Sequence, residues 1–239
     1  MAVSSASQAP IDLAALFELT SPVGMAHERL IEVSEELSGL LPLGGLRRGS
    51  TVATGGPAAI SLTLALCAKA SRDGAWVGMV GLDFLGLRAA GEYGLALDRL
   101  FLVAAPPERQ WAEVVAIVAE GAELVIVRPP KRFMPGDVRR VQARVAARGA
   151  VLVLVDDHRL STDAEADLGA GWSPEVRLVT HPLAWEGVGD GHGRLVGRRV
   201  AVSVSGRRNA RPNRVELLLP GPKGTIAAVS NVTPLRQAG

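Results

Sequence analysis

Residues 44–70, which read GGLRRGSTVATGGPAAISLTLALCAKA, form the stretch that most constrains how this chain folds. A glycine- and arginine-rich approach leads into a short run at residues 50–52 that suits a strand. A Gly-Gly-Pro turn and an apolar segment typical of a helix follow. Strand, loop and helix in this order are typical of a phosphate-binding loop. The sequence therefore predicts a strand-to-helix corner at Gly55.

The chemical groups of a Walker A loop are missing from this corner. That loop reads G-x-x-x-x-G-K-[ST], because backbone N–H groups cradle phosphates, a lysine meets the outer phosphates and a hydroxyl holds magnesium. With Gly55 at the first glycine, Ile60 stands at the second, Ser61 at the lysine and Leu62 at the hydroxyl. The loop is therefore degenerate, and we expect it to bind no cofactor.

Gly55, Gly56 and Pro57 still suit a tight turn between a strand and a helix. We interpret residues 55–62 as an architectural corner that outlived its phosphate chemistry. Residual anion binding at the helix N-terminus is the alternative, since free N–H groups there do not require a lysine.

Beyond the corner, apolar runs typical of buried strands alternate with helical patterns. We predict strands at residues 50–53, 76–80, 100–103, 124–127, 151–155 and 176–180. We predict helices at residues 61–71, 86–93, 107–120 and 136–148. Residues 195–205 and 214–219 alternate as antiparallel strands that end the sheet. This order indicates an α/β fold with a mostly parallel central sheet flanked by helices.

Before the corner, residues 1–10 are predicted to be a tail and residues 11–19 a short helix. Residues 25–41 carry Leu30, Val33 and Leu37 on one stripe, with glutamates largely off it, and this predicts an amphipathic helix. The stripe either covers the core or docks a partner protein. We therefore divide the chain into an N-terminal tail with helices (1–43), a core (44–220) and an extended C-terminal tail (221–239).

Composition limits the class of protein. The 239 residues are 48% hydrophobic, which is enough for one large α/β domain. The formal net charge is +2, and the single cysteine, Cys67, excludes a disulfide framework. The first residues lack a basic start followed by an apolar run, and no stretch approaches about 18 uncharged apolar residues. We expect a cytoplasmic protein that does not span a membrane.

Taken in order, the strands and their connections resemble the RecA-like core. GGLRRG before the corner, TLAL after it and DRLFLVAAPPERQWAEVVAIV at residues 98–118 carry this resemblance, which spans residues 40–219. It implies that Asp83 stands where a RecA-type ATPase has its catalytic glutamate. It also implies that Arg128 stands where the Walker B aspartate holds magnesium. An arginine there would oppose the cation, so the resemblance implies a pseudo-ATPase and not an enzyme.

A RecA-like body without its phosphate loop resembles the ImuA family, and more closely its shortened actinobacterial form, ImuA-prime. This resemblance implies an accessory protein of the SOS response that supports translesion synthesis and mutagenesis after DNA damage. The implied partners are ImuB, an inactive relative of Y-family polymerases, and RecA, with single-stranded DNA left open. It also implies association with the nucleoid during DNA damage. The alternatives are a SulA-like inhibitor of cell division and a RecA-type ATPase that binds nucleotide through an altered loop.

Residues 194–214 contain seven arginines and no acidic residue. Such a run is either a solvated face, a phosphate-contacting surface or a surface for an acidic partner protein. The turn at residues 207–212 has no aromatic side chain, which favours backbone or protein contact over base stacking. The arginines are Arg194, Arg198, Arg199, Arg207, Arg208, Arg211 and Arg214.

Asp156, Asp157 and His158 follow a predicted strand, where α/β sheets place ligands. They could hold a divalent metal, but neighbouring strand-end residues point to opposite faces. We therefore favour a solvated strand end with salt bridges over a metal site. The other histidines, His27, His181 and His192, have no metal-ligand spacing.

Overall fold

The computed structural model describes residues 30–130, 132–156, 171–189, 192–206, 213–221 and 223–229. The chain divides into two units, Met1–Leu30 and Ile31–Gly239. Leu30 alone of the first unit is among the described residues, and the description below concerns the second. The predicted tail at residues 1–10 and the predicted helix at 11–19 lie outside the described residues.

Helices and strands alternate along most of the second unit. The helices are α1 (Glu35–Ser38), α2 (Ala59–Arg72), α3 (Leu87–Glu92), α4 (Trp111–Gly121) and α5 (Pro135–Arg148). The strands are β1 (Leu30–Glu32), β2 (Gly45–Arg47), β3 (Thr51–Gly55), β4 (Val77–Val80), β5 (Leu100–Val103), β6 (Leu124–Val127), β7 (Val151–Asp156), β8 (Val176–Gly189), β9 (His192–Ser205), β10 (Asn213–Leu218) and β11 (Ala227–Ala228).

Within the described residues, nine strands form one sheet in the order β11-β10-β9-β8-β3-β7-β6-β4-β5. The strands from β8 to β5 pair in parallel, while β9, β10 and β11 pair antiparallel. The predicted α/β fold, with a mostly parallel sheet and antiparallel strands at its C-terminal end, is confirmed. The corner after β3 therefore lies in the interior of the sheet, between β7 and β8.

Two hydrophobic clusters cover the two faces of the sheet. Leu124 and Ile126 of β6 belong to the cluster that includes α2. Val125 and Val127 of the same strand belong to the cluster that includes α4 and α5. Because both faces are covered, β6 and the first five residues of β7 are continuous runs of Val, Ile and Leu.

The predicted helix at residues 25–41 is wrong from Leu30 onward. Residues 30–32 form β1, which pairs with β2, and only Glu35–Ser38 are helical. Ile31 and Val33 are buried and Glu32 is exposed, which is the two-residue period of a strand. Val33 and Leu37 share a core cluster with residues of α2.

The C-terminal strands are longer than their sequence pattern predicts. β8 continues to Gly189 instead of ending at residue 180, and β9 begins at His192 instead of residue 195. β11 adds a short strand within residues 221–239, which were predicted to be an extended tail. No helix in the described part of the chain is long and apolar enough to span a membrane.

Candidate functional site

The corner between β3 and α2 is a three-residue turn, Gly56, Pro57 and Ala58. Gly56 has φ +85°, a left-handed conformation that favours glycine. A Cβ atom at this position would collide with the carbonyl oxygen of Thr180 in β8. Close approach of two backbones therefore requires glycine at this position.

The backbone N–H groups of Ala58 and Ala59, at the end of the turn and the start of α2, are engaged within the protein. Pro57 has no N–H, and Ala58 donates its N–H to the Thr180 hydroxyl at 2.9 Å. Ala59 donates its N–H to the Gly56 carbonyl at 3.0 Å. The Thr180 hydroxyl in turn donates to the Gly55 carbonyl at 3.0 Å. A phosphate-binding loop presents such N–H groups to its ligand. Here the Thr180 hydroxyl of β8 accepts the N–H of Ala58 in place of a ligand.

The side chains at the positions of the second glycine, the lysine and the hydroxyl of a Walker A loop contact protein groups. Leu62 is fully buried in the core, and Ile60 is half-buried against it. Ser61 accepts a hydrogen bond from Nη2 of Arg198 at 3.2 Å. The position of the Walker lysine is thus a neutral hydroxyl that contacts a cation from another element.

Arg198 of β9 brings that cation to the corner. Its Nε donates to the Leu219 carbonyl at 2.9 Å, and its Nη1 donates to the Pro57 carbonyl at 3.3 Å. Its guanidinium carbon lies 5.3 Å from the centroid of the Trp185 ring, within range of a cation–π interaction. Arg198 therefore links β8, β9, the turn, α2 and the segment after β10.

Electrostatics at the corner follow from partial burial. Burial lowers the pKa of Arg198, against the opposing influence of Tyr93. Burial raises the pKa of Tyr93, while Ser61 and the charge of Arg198 act to lower it. Because arginine normally titrates far above neutrality, the guanidinium stays charged at physiological pH. The corner thus contains one partly desolvated cation held by neutral acceptors.

A cavity of about 520 Å³ opens beside the turn. It lies at the carboxyl ends of the parallel strands, where α/β sheets usually bind ligands. Among the described residues its lining is mostly apolar, with Arg198 as the one charged side chain. The larger lining residues are Pro57, Ile60, Phe84, Leu85, Trp185 and Arg198.

The other positions that the RecA resemblance singled out lie on neighbouring strand ends. Asp83 is exposed beyond β4, and Arg128 is exposed beyond β6 with its guanidinium carbon 5.4 Å from the centroid of the Phe84 ring. Asp156 ends β7 and is the register partner of Gly55. Asp157 and His158 lie outside the described residues. Within the described ranges, no cluster of three His, Cys, Asp or Glu side chains could hold a metal.

The predicted arginine run does not form one patch in the described structure. Arg194 and Arg214 are exposed on different strands, β9 and β10. Arg198 is held at the corner, and Arg199 pairs with Glu186 at 3.4 Å. The remaining members, Arg207, Arg208 and Arg211, lie outside the described residues.

The predicted N-terminal docking stripe is largely inaccessible. Val33 and Leu37 are buried, and Leu30 is half-buried. Because core packing occupies the side chains of Val33 and Leu37, they cannot serve as a docking surface.

The sequence patterns did not indicate that Thr180 and Trp185 lie at the corner. The only signal for Trp185 was that tryptophan is uncommon in a chain with 4% aromatic residues.

Comparison with known proteins shows the family to which this chain belongs. The model of the MT3502 N-terminal domain family matches residues 39–160, which include the corner and β4 to β7. The chain belongs to this family. The uncharacterized protein Rv3395c of Mycobacterium tuberculosis (strain ATCC 25618 / H37Rv) is 30% identical over 151 residues, which span 62% of this chain and 70% of that protein.

A solved structure shows how this member of the MT3502 N-terminal domain family is built. The crystal structure of the RadB recombinase superposes with a TM-score of 0.61 over 82% of this chain and 97% of that chain. The sequences are 14% identical, so the similarity shows the fold alone. The predicted RecA-like fold is therefore confirmed.

Gly56→Ala tests the close approach of the turn to β8. We expect the free energy of unfolding to fall by about 1–3 kcal/mol, because alanine disfavours the left-handed backbone and its Cβ meets Thr180. Gly136→Ala in α5 is the matched control, since open space surrounds that position, and it should change stability by no more than about 1 kcal/mol. Urea denaturation measures both, and equal effects would contradict the account.

Arg198→Ala tests the link between the C-terminal strands and the corner. We expect a loss of about 1–3 kcal/mol of stability, because the buried Leu219 carbonyl loses its donor. Arg194→Ala, at an exposed position of the same strand, should lie within about 0.5 kcal/mol of the wild type. Arg198→Lys should restore only part of the loss, since an ammonium group lacks the planar fork. Urea unfolding that ranks Arg198→Ala with Arg194→Ala would show that the three hydrogen bonds contribute nothing.

Proposed function

We propose that this protein is a non-catalytic, RecA-like accessory protein that assembles a DNA damage response complex through protein contacts. The observation that carries the proposal is the engaged corner. Pro57, Ala58 and Ala59 offer no free N–H to a phosphate, and Ser61 replaces the lysine. A fold that keeps this corner while losing its phosphate chemistry supports a role in binding other macromolecules.

The surroundings of the corner support the same proposal. Arg128 lies where magnesium would need a carboxylate, and a positive side chain there disfavours a Mg·ATP complex. The neighbouring cavity is mostly apolar, whereas a triphosphate site needs several convergent donors. Loss of ATPase activity is therefore our proposal for this member of the family.

The resemblance to the ImuA family, and to its ImuA-prime form, makes the proposal specific. The RecA-like fold, shared with the RadB recombinase, supports a place in DNA metabolism, and the mycobacterial relative fits the actinobacterial form. We propose ImuB and RecA as the partners, translesion DNA synthesis in the SOS response as the process and nucleoid association as the location. The exposed arginines Arg194 and Arg214 could add weak, salt-sensitive contact with single-stranded DNA.

Co-purification tests the proposal. The full-length tagged chain should retain purified ImuB and RecA on affinity resin, and the retained amount should be the same with and without millimolar Mg·ATP. An unrelated tagged protein provides the background. Failure to retain either partner would contradict the assembly role, and retention only with Mg·ATP would favour a nucleotide-dependent RecA-type protein instead.

A further inference from the structure

β8 and β9 extend beyond the sheet as a two-stranded ribbon. β3 pairs with β8 only as far as Val179, and the ladder between β10 and β9 ends at Arg199. Past these points β8 and β9 pair with each other, up to the pair Gly189 and His192. Residues 182–189 and 192–198 are called the ribbon here. No further strand lies along the outer edge of residues 182–189 or 192–197 in the part of the chain that the structure describes.

The ribbon carries a concentration of exposed apolar side chains. Trp185 is 57% exposed, and the other four are between 42% and 53% exposed. Exposed apolar side chains that are grouped on one element often mark an interaction surface. The side chains are Leu183, Trp185, Val188, Leu195 and Val196.

Contacts within the protein fix the conformation of the ribbon. Arg198 anchors its base to the corner through two hydrogen bonds and to the Leu219 carbonyl through a third, and Arg199 pairs across the strands with Glu186. Gly187 and Gly193 have positive φ, and a Cβ on either would collide with backbone of the opposite strand. A surface that is already shaped loses little conformational entropy on binding, which favours affinity.

Charge indicates what kind of partner fits the ribbon. Its described residues include two arginines, Arg194 and Arg198, while its one described carboxylate, Glu186, pairs with Arg199 at the base of the ribbon. Asp190 lies outside the described residues. The surplus positive charge favours a partner segment that carries aspartate or glutamate. It opposes a second copy of this chain, which would bring arginine against arginine.

The apolar residues separate a protein partner from a nucleic acid. Four of the five exposed apolar side chains are aliphatic, and single-stranded nucleic acid is held mainly by aromatic stacking and phosphate contacts. We infer that the ribbon is the docking surface for an acidic, apolar segment of a partner protein. This inference rests on the proposed function, because it assigns a surface to the protein contacts proposed there.

The test compares two double variants of the full-length chain with purified ImuB as the probe. Leu183→Ser with Leu195→Ser removes apolar area from the ribbon, and Ile117→Ser with Met134→Ser does the same at exposed positions elsewhere. By biolayer interferometry, we expect the ribbon variant to raise the Kd at least about tenfold and the control by less than about twofold. Arg194→Glu should also weaken binding and reduce its dependence on salt. Equal thermal melting curves exclude unfolding as the cause.

Failure of this inference can be told apart from failure of the proposed function. If the wild type does not bind ImuB, the proposed function is contradicted and the inference falls with it. If the wild type binds and the ribbon variant binds equally well, the ribbon inference alone is overturned. It is also overturned if sedimentation shows a wild-type dimer that the ribbon variant abolishes. Loss of binding to a single-stranded oligothymidylate with ImuB binding intact would assign the ribbon to nucleic acid instead.

Discussion

The hydroxyl of Thr180 is the interaction on which the organisation of this protein depends. It accepts the N–H of Ala58 and donates to the carbonyl of Gly55, so one buried side chain satisfies both sides of the turn. A buried N–H without a partner is costly, and in a nucleotide-binding protein the phosphate would meet that need. Here β8 supplies the acceptor. The N–H of Ala58 thus has an acceptor without a ligand, and the strand that supplies it continues into the ribbon.

Much of the fold could be predicted because the central strands are buried on both faces. A continuous apolar run predicted the bounds of β6 correctly, since covered parallel strands show no polar alternation. The prediction for the N-terminal segment was wrong because its strand is too short to show a clear period. Leu30, Val33 and Leu37 fit a helical stripe, but the burial of Ile31 and Val33 around exposed Glu32 follows a strand period over too few residues to decide.

The candidate site could be predicted only where its residues are close in sequence. Gly55, Gly56 and Pro57 mark a corner through local turn chemistry. Thr180 and Arg198 lie more than a hundred residues away and reach the corner only because β8 pairs with β3. No local pattern encodes that pairing, and the arginine run suggested only a basic surface. Once in place, these strands connect the corner to an exposed ribbon.

Amide hydrogen exchange at Ala58 tests most directly whether the protein fills its own phosphate corner. The exchange rate, followed by NMR on the full-length protein with and without millimolar Mg·ATP, reports whether this N–H already has a partner. We predict slow exchange in the free protein, because Ala58 is buried and its N–H is hydrogen-bonded to Thr180. We also predict that adding Mg·ATP leaves this exchange rate unchanged. Fast exchange in the free protein that slows when Mg·ATP is added would show a working nucleotide loop and contradict the account.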